Sequence, residues 1–328
     1  MSKNKYRITE FEEILKMRQM TLKRHLEAKL EAAGYEPKSE DGFLYAEGTF
    51  PVLLVAHMDT VHKECVQKIK YTGAIMSSPQ GIGGDDRCGI YAILQIIKDY
   101  HCSVLFTEDE EIGCVGAEKF VKSEYIVNNN VNYIIEIDRR GTNDCVFYSC
   151  DNPEFEEFIE STGYFITSWG SLSDISIVAP ALGVAAVNLS SGYFDEHTTR
   201  ETINIEALLS TIEEAKKILA LPCEEPFEYI EAAYGYGKYG NWWRDWGDEE
   251  ETSPITTDYT TIYTDDYPCI LSKEKEAKKW FHIYLQNYNG DEICCELLAI
   301  NEMEAIGMLL SHYQYYSACD IIDIITTR

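Results

Sequence analysis

The spacing of apolar residues predicts a chain that alternates between helices and strands as far as residue 220. Between residues 8 and 34, apolar side chains recur at near-helical spacing and predict one helix. Short apolar runs at 42–48 and 51–56 predict two strands that pair with each other. The later elements follow the same pattern, with helices predicted at 85–100, 115–127, 153–161 and 204–220, and strands at 102–107, 131–138, 144–150 and 184–190.

This alternation predicts an α/β fold of three layers, in which helices flank a mixed, mostly parallel sheet. The strands are apolar along their length, which suits a sheet that is covered on both faces. The first domain is expected to span residues 1–222. Residues 223–272 are rich in Tyr, Trp, Gly and acidic residues, and they predict a linker or surface segment. Residues 273–328 predict a small β-β-α-β domain.

Composition excludes several classes of partner. The formal net charge is −28, and a surface of that charge repels phosphate backbones, so nucleic acid is not expected to bind. Hydrophobic residues make up 45% of the chain, which is enough for a sizeable core. No apolar run reaches the length of about 18 residues that a membrane span needs. The 11 cysteines and the charged N-terminus predict free thiols and a cytoplasmic location.

Imidazole and carboxylate side chains stand where the predicted strands end and where one helix begins. In chain order they are His57, Asp59, Asp85, Glu110, Glu111, Asp138 and His197. Because the carboxyl ends of parallel strands meet at one edge of a sheet, we expect these side chains to cluster. Each motif alone has an ordinary explanation, such as a satisfied core histidine or a solvated acidic turn. Their joint occurrence favours a functional site.

Two imidazoles and three carboxylates can hold two zinc ions if one carboxylate bridges the ions. Two metals can supply a hydroxide and polarise a carbonyl oxygen, and a further carboxylate must then move the proton. The neighbouring residues Glu110 and Glu111 suit that division, because one can bind metal while the other faces the water. The pattern therefore predicts a metal-dependent hydrolase.

The ordered motifs HMDTVH, GIGGDDRCG, TEDEEIG, EIDRRG and FDEHTTRETI resemble those of the di-zinc exopeptidase clan. That clan includes peptidase T, the bacterial leucyl aminopeptidase and the glutamyl aminopeptidases. The resemblance covers roughly residues 40–220 and implies a zinc exopeptidase-like fold. It implies one zinc on His57, Asp85 and Asp138, and a second on Glu111 and His197, with Asp85 bridging.

The resemblance also implies the roles of the remaining site residues. Glu110 would be the general base, and Asp59 would orient His57 as its hydrogen-bond partner. The peptide bond between Asp85 and Asp86 would be cis. His62 gains no role and is expected at the surface.

The chain departs from peptidase T, because no lid domain fits between Asp138 and His197. This favours a single-domain aminopeptidase architecture. The C-terminal domain has no counterpart in the resemblance. Three roles stay open for it: covering the cleft, binding a partner, or assembling a homo-oligomer.

Two interpretations of the substrate stay open, because the protein could recognise either the carboxyl end or the amino end of a peptide. Basic residues near the proposed ligands either balance their charge or clamp a substrate carboxylate; they are Arg87, Arg139, Arg140 and Arg200. An aminopeptidase would instead bind an ammonium group with Asp174, Asp195 or Glu196. Residues 169–180 resemble the substrate-side loop of the clan, and Trp169 and residues 171–174 are expected to line the specificity pocket.

The leading hypothesis is a cytoplasmic zinc exopeptidase, whether aminopeptidase, dipeptidase or carboxypeptidase, with cobalt or manganese as alternative metals. Its substrate would be a small peptide or an amino-acid derivative. One alternative is an N-acyl-amino-acid deacylase or another small-molecule amidohydrolase. The other is a non-catalytic metal- or partner-binding protein on this fold, with its function in residues 223–328.

Overall fold

The computed structural model describes residues 5–126, 130–170 and 172–232, and beyond them the backbone of four strands that form one sheet. The chain divides into two units, Met1–Trp246 and Gly247–Arg328. The helices of the described residues are α1 (Thr9–Leu15), α2 (Gln19–Ala32), α3 (Gly84–Ile96), α4 (Val115–Phe120), α5 (Pro153–Glu160), α6 (Ile175–Leu182) and α7 (Ile205–Leu219). None of these helices has the length and apolarity that a membrane span requires.

The strands that the structure describes fall into three sheets. The strands of the first unit are β1 (Lys38–Glu40), β2 (Phe43–Ala46), β3 (Phe50–His57), β4 (Lys70–Thr72), β5 (Ile75–Ser77), β6 (Cys102–Thr107), β7 (Tyr133–Arg139), β8 (Asp144–Val146), β9 (Ile166–Thr167), β10 (Ala186–Ser190), β11 (Tyr193–Phe194) and β12 (Thr202–Asn204). Those of the second unit are β13 (Thr261–Ile262), β14 (Lys279–Gln286), β15 (Glu292–Ala299) and β16 (Ile321–Thr327).

The main sheet has eight strands in the order β1-β2-β6-β3-β7-β10-β8-β9. Its central strands β6, β3, β7 and β10 run parallel, whereas β2 and β8 join them antiparallel from either side. Helices α3 and α7 pack on one face, and α4 and α6 pack on the other. The predicted three-layer α/β fold with a mixed, mostly parallel sheet is confirmed.

Strand β3 shows why the central strands read as continuous apolar runs. Val52, Leu54 and Ala56 belong to the core cluster of α3 and α7, whereas Leu53 and Val55 belong to that of α4 and α6. Successive side chains point to opposite faces of a strand, and here both faces are covered. Burying a side chain such as Leu or Val stabilises the fold by about 1.5–3 kcal/mol.

Two smaller sheets are present besides the main sheet. In the first unit, β11-β12-β5-β4 form an antiparallel sheet that the sequence did not predict. In the second unit the order is β13-β15-β14-β16, so the three long strands predicted there are present. The helix of the predicted β-β-α-β domain, between β15 and β16, lies outside the described residues.

The prediction of one helix over residues 8–34 is wrong, because the structure has two, α1 and α2. Arg18 lies between them with extended backbone angles of φ −73° and ψ 152°. An unbroken helix that buries Leu15 and Leu22 would place Arg18 and Gln19 on the same inward stripe. The break keeps Arg18 exposed, while Leu15 and Leu22 both reach the core.

The predicted pairing of β2 with β3 is also wrong, because β6 lies between them. β2 pairs antiparallel with β6, and β3 pairs parallel with β6 on its other side. The chain passes from β2 to β3 across the start of β6, where the N–H of Phe50 donates to the carbonyl of His101. A Cβ at Gly48 would lie 2.2 Å from that same carbonyl oxygen, so this crossing requires glycine.

Three further predictions need correction, the first two in their bounds. The strand predicted at 144–150 ends at Val146, and the helix predicted at 115–127 ends at Phe120, before a short 3-10 turn at Glu124–Ile126. Residues 169–180, expected as a loop, contain the start of α6.

Residues 223–232 run along the amino ends of the central strands, and we refer to them as the strap. Phe227 donates its N–H to the carbonyl of Asn132, just before β7, and accepts from the N–H of Ala185, just before β10. The Phe227 ring packs against Tyr133 and Phe155, at centroid distances of 6.3 and 5.2 Å. The strap is therefore an integral part of the first unit. The rest of the predicted linker lies outside the described residues, except for β13.

Candidate active site

The chemistry-bearing side chains meet at the carboxyl edge of the central sheet. His57 is the last residue of β3, and Asp138 is the last but one of β7. Glu110 and Glu111 lie in the turn after β6, Asp85 lies in the first turn of α3, and His197 lies in the loop after β11. The sheet order places β6, β3 and β7 side by side.

Asp85 lies between the two histidines and presents one oxygen to each. Its Oδ1 lies 2.9 Å from His57 Nε2, and its Oδ2 lies 3.2 Å from His197 Nε2. His197 Nε2 also lies 3.0 Å from Glu111 Oε2. His57 Nε2 lies 3.7 Å from Asp138 Oδ1. The five residues therefore form one connected cluster in which Asp85 is the central member.

Asp59 supports this cluster from behind. Its Oδ1 lies 3.1 Å from Nδ1 of His57, on the side of the ring that faces away from Asp85. The same carboxylate accepts hydrogen bonds from the backbone N–H groups of Glu110 and Glu111, each at 3.1 Å. Asp59 thus contacts both the end of β3 and the turn after β6.

Asp138 is held by groups from several elements. Tyr193 donates its hydroxyl to Asp138 Oδ1 at 3.1 Å, and Ser173 donates to Oδ2 at 3.4 Å. The amide oxygen of Asn188 accepts from the backbone N–H of Asp138 at 2.8 Å. These contacts fix the orientation of the carboxylate.

The peptide bond between Asp85 and Asp86 is cis, as the resemblance implies. Asp85 faces the cluster, whereas Asp86 is fully buried and accepts a hydrogen bond from the N–H of Gly89 at 2.9 Å. Of these two adjacent carboxylates, only Asp85 contacts the histidines.

Three residues of the site loops have left-handed backbone angles that non-glycine residues adopt rarely. Asp109 and His197 both have φ of 60°, and the neighbouring Asp195 has φ of 55°. Such conformations cost of order 1–3 kcal/mol each and persist where the surrounding structure holds them. The loops that carry Glu110 and His197 are therefore held in backbone conformations that are uncommon for non-glycine residues.

The crowding of carboxylates shifts their pKa values. Burial, together with the charges of Asp138, Asp85 and Glu111, raises the pKa of Glu110 to about 8. Burial and the charge of Asp85 raise the pKa of Asp138 to about 7. Hydrogen bonds to Asp85 and Glu111 raise the pKa of His197 to about 11. The cluster thus holds more negative charge than its own residues neutralise.

The donor set fits divalent metal ions. One ligand atom each from His57, Asp85 and Glu111 lies within 4.8 Å of the other two. Glu111 Oε1 is buried and, within the described part of the chain, has no hydrogen-bond partner. Imidazole nitrogens and carboxylate oxygens are ligands that zinc accepts. A bound cation would satisfy this oxygen and neutralise the excess charge of the cluster.

The arginines predicted near the site have other partners or face solvent. Arg87 is 2% exposed, and it donates to the carbonyl of Met17 at 3.3 Å. Burial lowers the pKa of Arg87 to about 10, opposed by the charges of Asp59 and Asp86. The burial of Arg87 favours the charge-balancing interpretation over a substrate clamp.

The other three arginines lie nearer the surface. Arg139 donates to the carbonyl of Trp169 at 3.0 Å, and Arg140 pairs with Glu196 at 2.9 Å. Arg200 is exposed.

Of the predicted pocket residues, Trp169 is 44% exposed, whereas Asp174 is fully buried. Thr107 donates its hydroxyl to Asp174 Oδ2, and the second oxygen of Asp174 has no hydrogen-bond partner among the described residues. Burial raises the pKa of Asp174 to about 7. Asp174 is therefore beneath the site rather than on its open surface. Ser171 lies outside the described residues.

The sequence reasoning missed a contact between His62 and Glu201. The prediction that His62 lies at the surface is wrong, because its side chain is 9% exposed and its Nε2 lies 2.7 Å from Glu201 Oε2. Both residues stand inside motifs that already carry site residues, HMDTVH and FDEHTTRETI. Their place in these motifs is the sequence feature from which a role near the site could have been predicted.

Residues 44–168 match the model of Peptidase family M28. The resemblance to the zinc exopeptidase clan is confirmed. The matched range contains His57, Asp85, Glu111 and Asp138. Together with the candidate metal site, the match identifies the chain as a metal-dependent peptidase. No curated protein sequence matches the chain.

Solved peptidase structures share the fold. Aminopeptidase PepT from Bacillus cereus is 16% identical, with 64% of this chain and 96% of that chain covered and a TM-score of 0.54. A tripeptidase from Staphylococcus aureus is 16% identical, with coverage of 64% and 97% and a TM-score of 0.51. An aminopeptidase from the archaeon Desulfurococcus kamchatkensis is 14% identical, with coverage of 66% and 95% and a TM-score of 0.52. At these identities the likeness establishes the fold.

Proposed function

We propose that this peptidase is an aminopeptidase that works with two metal ions, zinc in the first place and cobalt or manganese as alternatives. The observation that carries the proposal is the geometry of Asp85, whose two oxygens face His57 and His197 separately at 2.9 and 3.2 Å. A carboxylate so placed can bridge two ions. His57 and Asp138 would complete one set of ligands, and Glu111 and His197 the other.

When bound, such a metal pair lowers the pKa of water and polarises the scissile carbonyl oxygen. Glu110 is our candidate for the group that moves the proton. Its backbone is fixed by Asp59 at 3.1 Å, and burial with neighbouring carboxylates raises its pKa to about 8. In this role its carboxylate takes a proton from the attacking water and delivers it to the nitrogen of the leaving amine.

Two observations favour recognition of the amino end of a peptide. Two of the arginines that could clamp a substrate carboxylate already have partners, since Arg139 binds the Trp169 carbonyl and Arg140 pairs with Glu196, whereas Arg200 is exposed. The site itself is strongly acidic, which suits an ammonium group. Two of the similar structures are named aminopeptidases and one is named a tripeptidase, in agreement with this choice.

We further propose that the protein works in the cytoplasm. The described cysteines are free thiols, and those of the core, such as Cys88 and Cys102, are fully buried. Proteins of reducing compartments keep their cysteines in this form.

The test combines metal analysis with a substrate screen. Protein purified without chelator should contain one to two zinc, cobalt or manganese ions per chain, as the two proposed ligand sets require. It should release the first residue from dipeptides, tripeptides and aminoacyl amides. It should not cleave the same peptides when the amino end is acetylated, nor N-acyl amino acids.

Each contrary outcome has a definite meaning. A protein that binds no metal, with a stability unchanged by added zinc, would contradict the di-metal site. Cleavage of N-acyl amino acids in preference to free peptides would replace the aminopeptidase with a deacylase. Bound metal with no hydrolysis of any substrate would indicate a non-catalytic metal protein.

A further inference from the structure

Glu201 is a buried carboxylate that contacts the loop before α3 through both of its oxygens. Its side chain is fully buried. Oε1 accepts a hydrogen bond from the backbone N–H of Asp85 at 3.0 Å, and Oε2 accepts from the N–H of Gly83 at 2.8 Å. Oε2 also lies 2.7 Å from His62 Nε2. One carboxylate therefore meets three partners around the residue proposed to bridge the metals.

The ring of His62 is packed inside the same loop. A Cβ added at Gly81 would lie 2.1 Å from Cε1 of His62, and Gly81 has a φ of +83°. A side chain at this position would therefore both clash with the ring and adopt an unfavourable backbone conformation. The loop passes closely over the ring, and His62 in turn holds Glu201 in place.

We infer that Glu201 and His62 are a positioning pair, which sets the place of the Asp85 carboxylate and so controls metal binding and turnover. This inference rests on the proposed function, because it assumes that Asp85 bridges two ions. Hydrogen bonds from backbone N–H groups to an ionised carboxylate are about twice as strong as neutral ones. A displacement of Asp85 would alter its contacts with both His57 and His197, and hence both ligand sets.

An alternative role for Glu201 and His62 is that they only stabilise the fold. In that case its loss would lower thermal stability but leave the metal affinity and the kcat of the folded protein unchanged. If the pair positions Asp85, its loss should lower metal affinity or activity by about 10- to 100-fold, which is typical when residues that orient metal ligands are substituted. Metal affinity therefore separates the two roles.

The experiment uses the full chain with Co²⁺ and Zn²⁺ as probes, and it compares E201Q, H62F and H62Q with the wild type. Glutamine at 201 keeps one acceptor oxygen for two backbone N–H groups, so one of them loses its partner. H62F keeps a ring of similar size but cannot donate, whereas H62Q restores a side-chain donor. E12Q is the matched control, because Glu12 is a buried carboxylate that binds Arg7 and Tyr71 rather than any site residue.

We expect E201Q and H62F to bind Zn²⁺ about 10- to 100-fold more weakly in chelator competition, with an altered visible spectrum of the Co²⁺ form. Their kcat should fall while KM changes little, and H62Q should recover most of both losses. E12Q should keep wild-type metal affinity.

Equal metal affinity and kcat in wild type, E201Q and H62F would overturn the inference. If E201Q does not fold, the pair H62F and H62Q carries the test alone, and equal affinity of these two would overturn it. A wild-type protein that binds neither metal would instead contradict the proposed function.

Discussion

The carboxylate of Asp59 accepts a hydrogen bond from the backbone N–H of Glu110, at 3.1 Å. Asp59 follows β3 and Glu110 follows β6, so this contact joins the ends of two neighbouring parallel strands. The same carboxylate contacts Nδ1 of His57. One side chain thus orients the histidine and also fixes the turn that carries the proposed base.

The first prediction concerns Asp59→Asn. An asparagine has one acceptor oxygen, so it cannot serve His57 and the N–H groups of Glu110 and Glu111 together. We expect a loss of about 10- to 100-fold in kcat or zinc affinity, with a smaller effect on folding. Steady-state kinetics, zinc competition and thermal unfolding of the same preparation measure the three quantities.

The control for this substitution is Asp99→Asn, which removes an exposed ion pair with Lys216 and should change none of them. An Asp59→Asn protein that unfolds at much lower temperature, yet keeps wild-type kcat and zinc affinity, would show that Asp59 only stabilises the fold.

The second prediction concerns Glu110→Gln. The amide keeps the size of the side chain and leaves the proposed metal ligands in place, but it cannot accept the proton of water. We expect unchanged metal content and a kcat lower by about 10²- to 10⁴-fold. Metal analysis and peptide hydrolysis provide the readouts, with the exposed Glu118→Gln as control. Retained turnover would remove Glu110 from the role of base.

The third prediction concerns metal removal. Chelation leaves the buried carboxylates around Asp85 without a neutralising cation, so the stripped protein should unfold at a lower temperature. Returning zinc should raise the unfolding temperature, with about 2.7 kcal/mol of stabilisation at a concentration of 100 times Kd. Thermal unfolding over a zinc titration measures the effect. Asp85→Asn should abolish the zinc-dependent rise, and a variant that keeps it would exclude Asp85 as a ligand.

The fourth prediction concerns Arg87→Met. Arg87 is 2% exposed, and the charges of Asp59 and Asp86 oppose the lowering of its pKa by burial. Removing one member of a buried charge cluster leaves the others unpaired, which typically costs about 3–5 kcal/mol. Urea unfolding should show such a loss, whereas Arg140→Met, at an exposed pair, should lose less than about 1 kcal/mol. Equal effects of the two would contradict a charge-balancing role for Arg87.

The fifth prediction concerns acid stability. Burial by itself would raise the pKa of Glu12, but hydrogen bonds from Tyr71 and Arg7 outweigh it and leave the pKa below its usual value. A folded-state pKa below the unfolded one stabilises the protein above the unfolded pKa, about 4.3, and the gain is lost as the pH falls through the folded pKa.

The stability difference between wild type and Glu12→Gln should therefore shrink as the pH falls below about 4. Urea unfolding between pH 7 and pH 3 measures this difference. A difference that stays constant over this range would show that the contacts of Glu12 do not depend on its charge.

The sequence predicted the layers of the fold and the place of the site because both follow from local patterns. Continuous apolar runs such as Val52–Ala56 mark strands covered on both faces, and the polar residues that end them share one edge of the sheet. The break at Arg18 was not predicted, although Arg18 and Gln19 leave a polar gap in the inward stripe of the predicted helix.

What the sequence could not predict depends on contacts between distant segments. The insertion of β6 between β2 and β3 is a choice of strand order, which neighbours in sequence do not encode. Glu201 contacts Gly83 and Asp85 across more than a hundred residues. The partners of Arg139 and Arg140, which are the Trp169 carbonyl and Glu196, likewise come from other loops.

The strap along the amino ends of β7 and β10 sets a practical limit on any shortened form of the protein. A chain that ends at residue 222 would lack Phe227, leave the aromatic surface of Tyr133 and Phe155 open to water, and deprive the N–H of Ala185 of its acceptor. A chain that ends just after Ala232 would retain all of these contacts. A shortened form of the protein should therefore keep the strap, although the strap runs along the edge of the sheet opposite the proposed metal ligands.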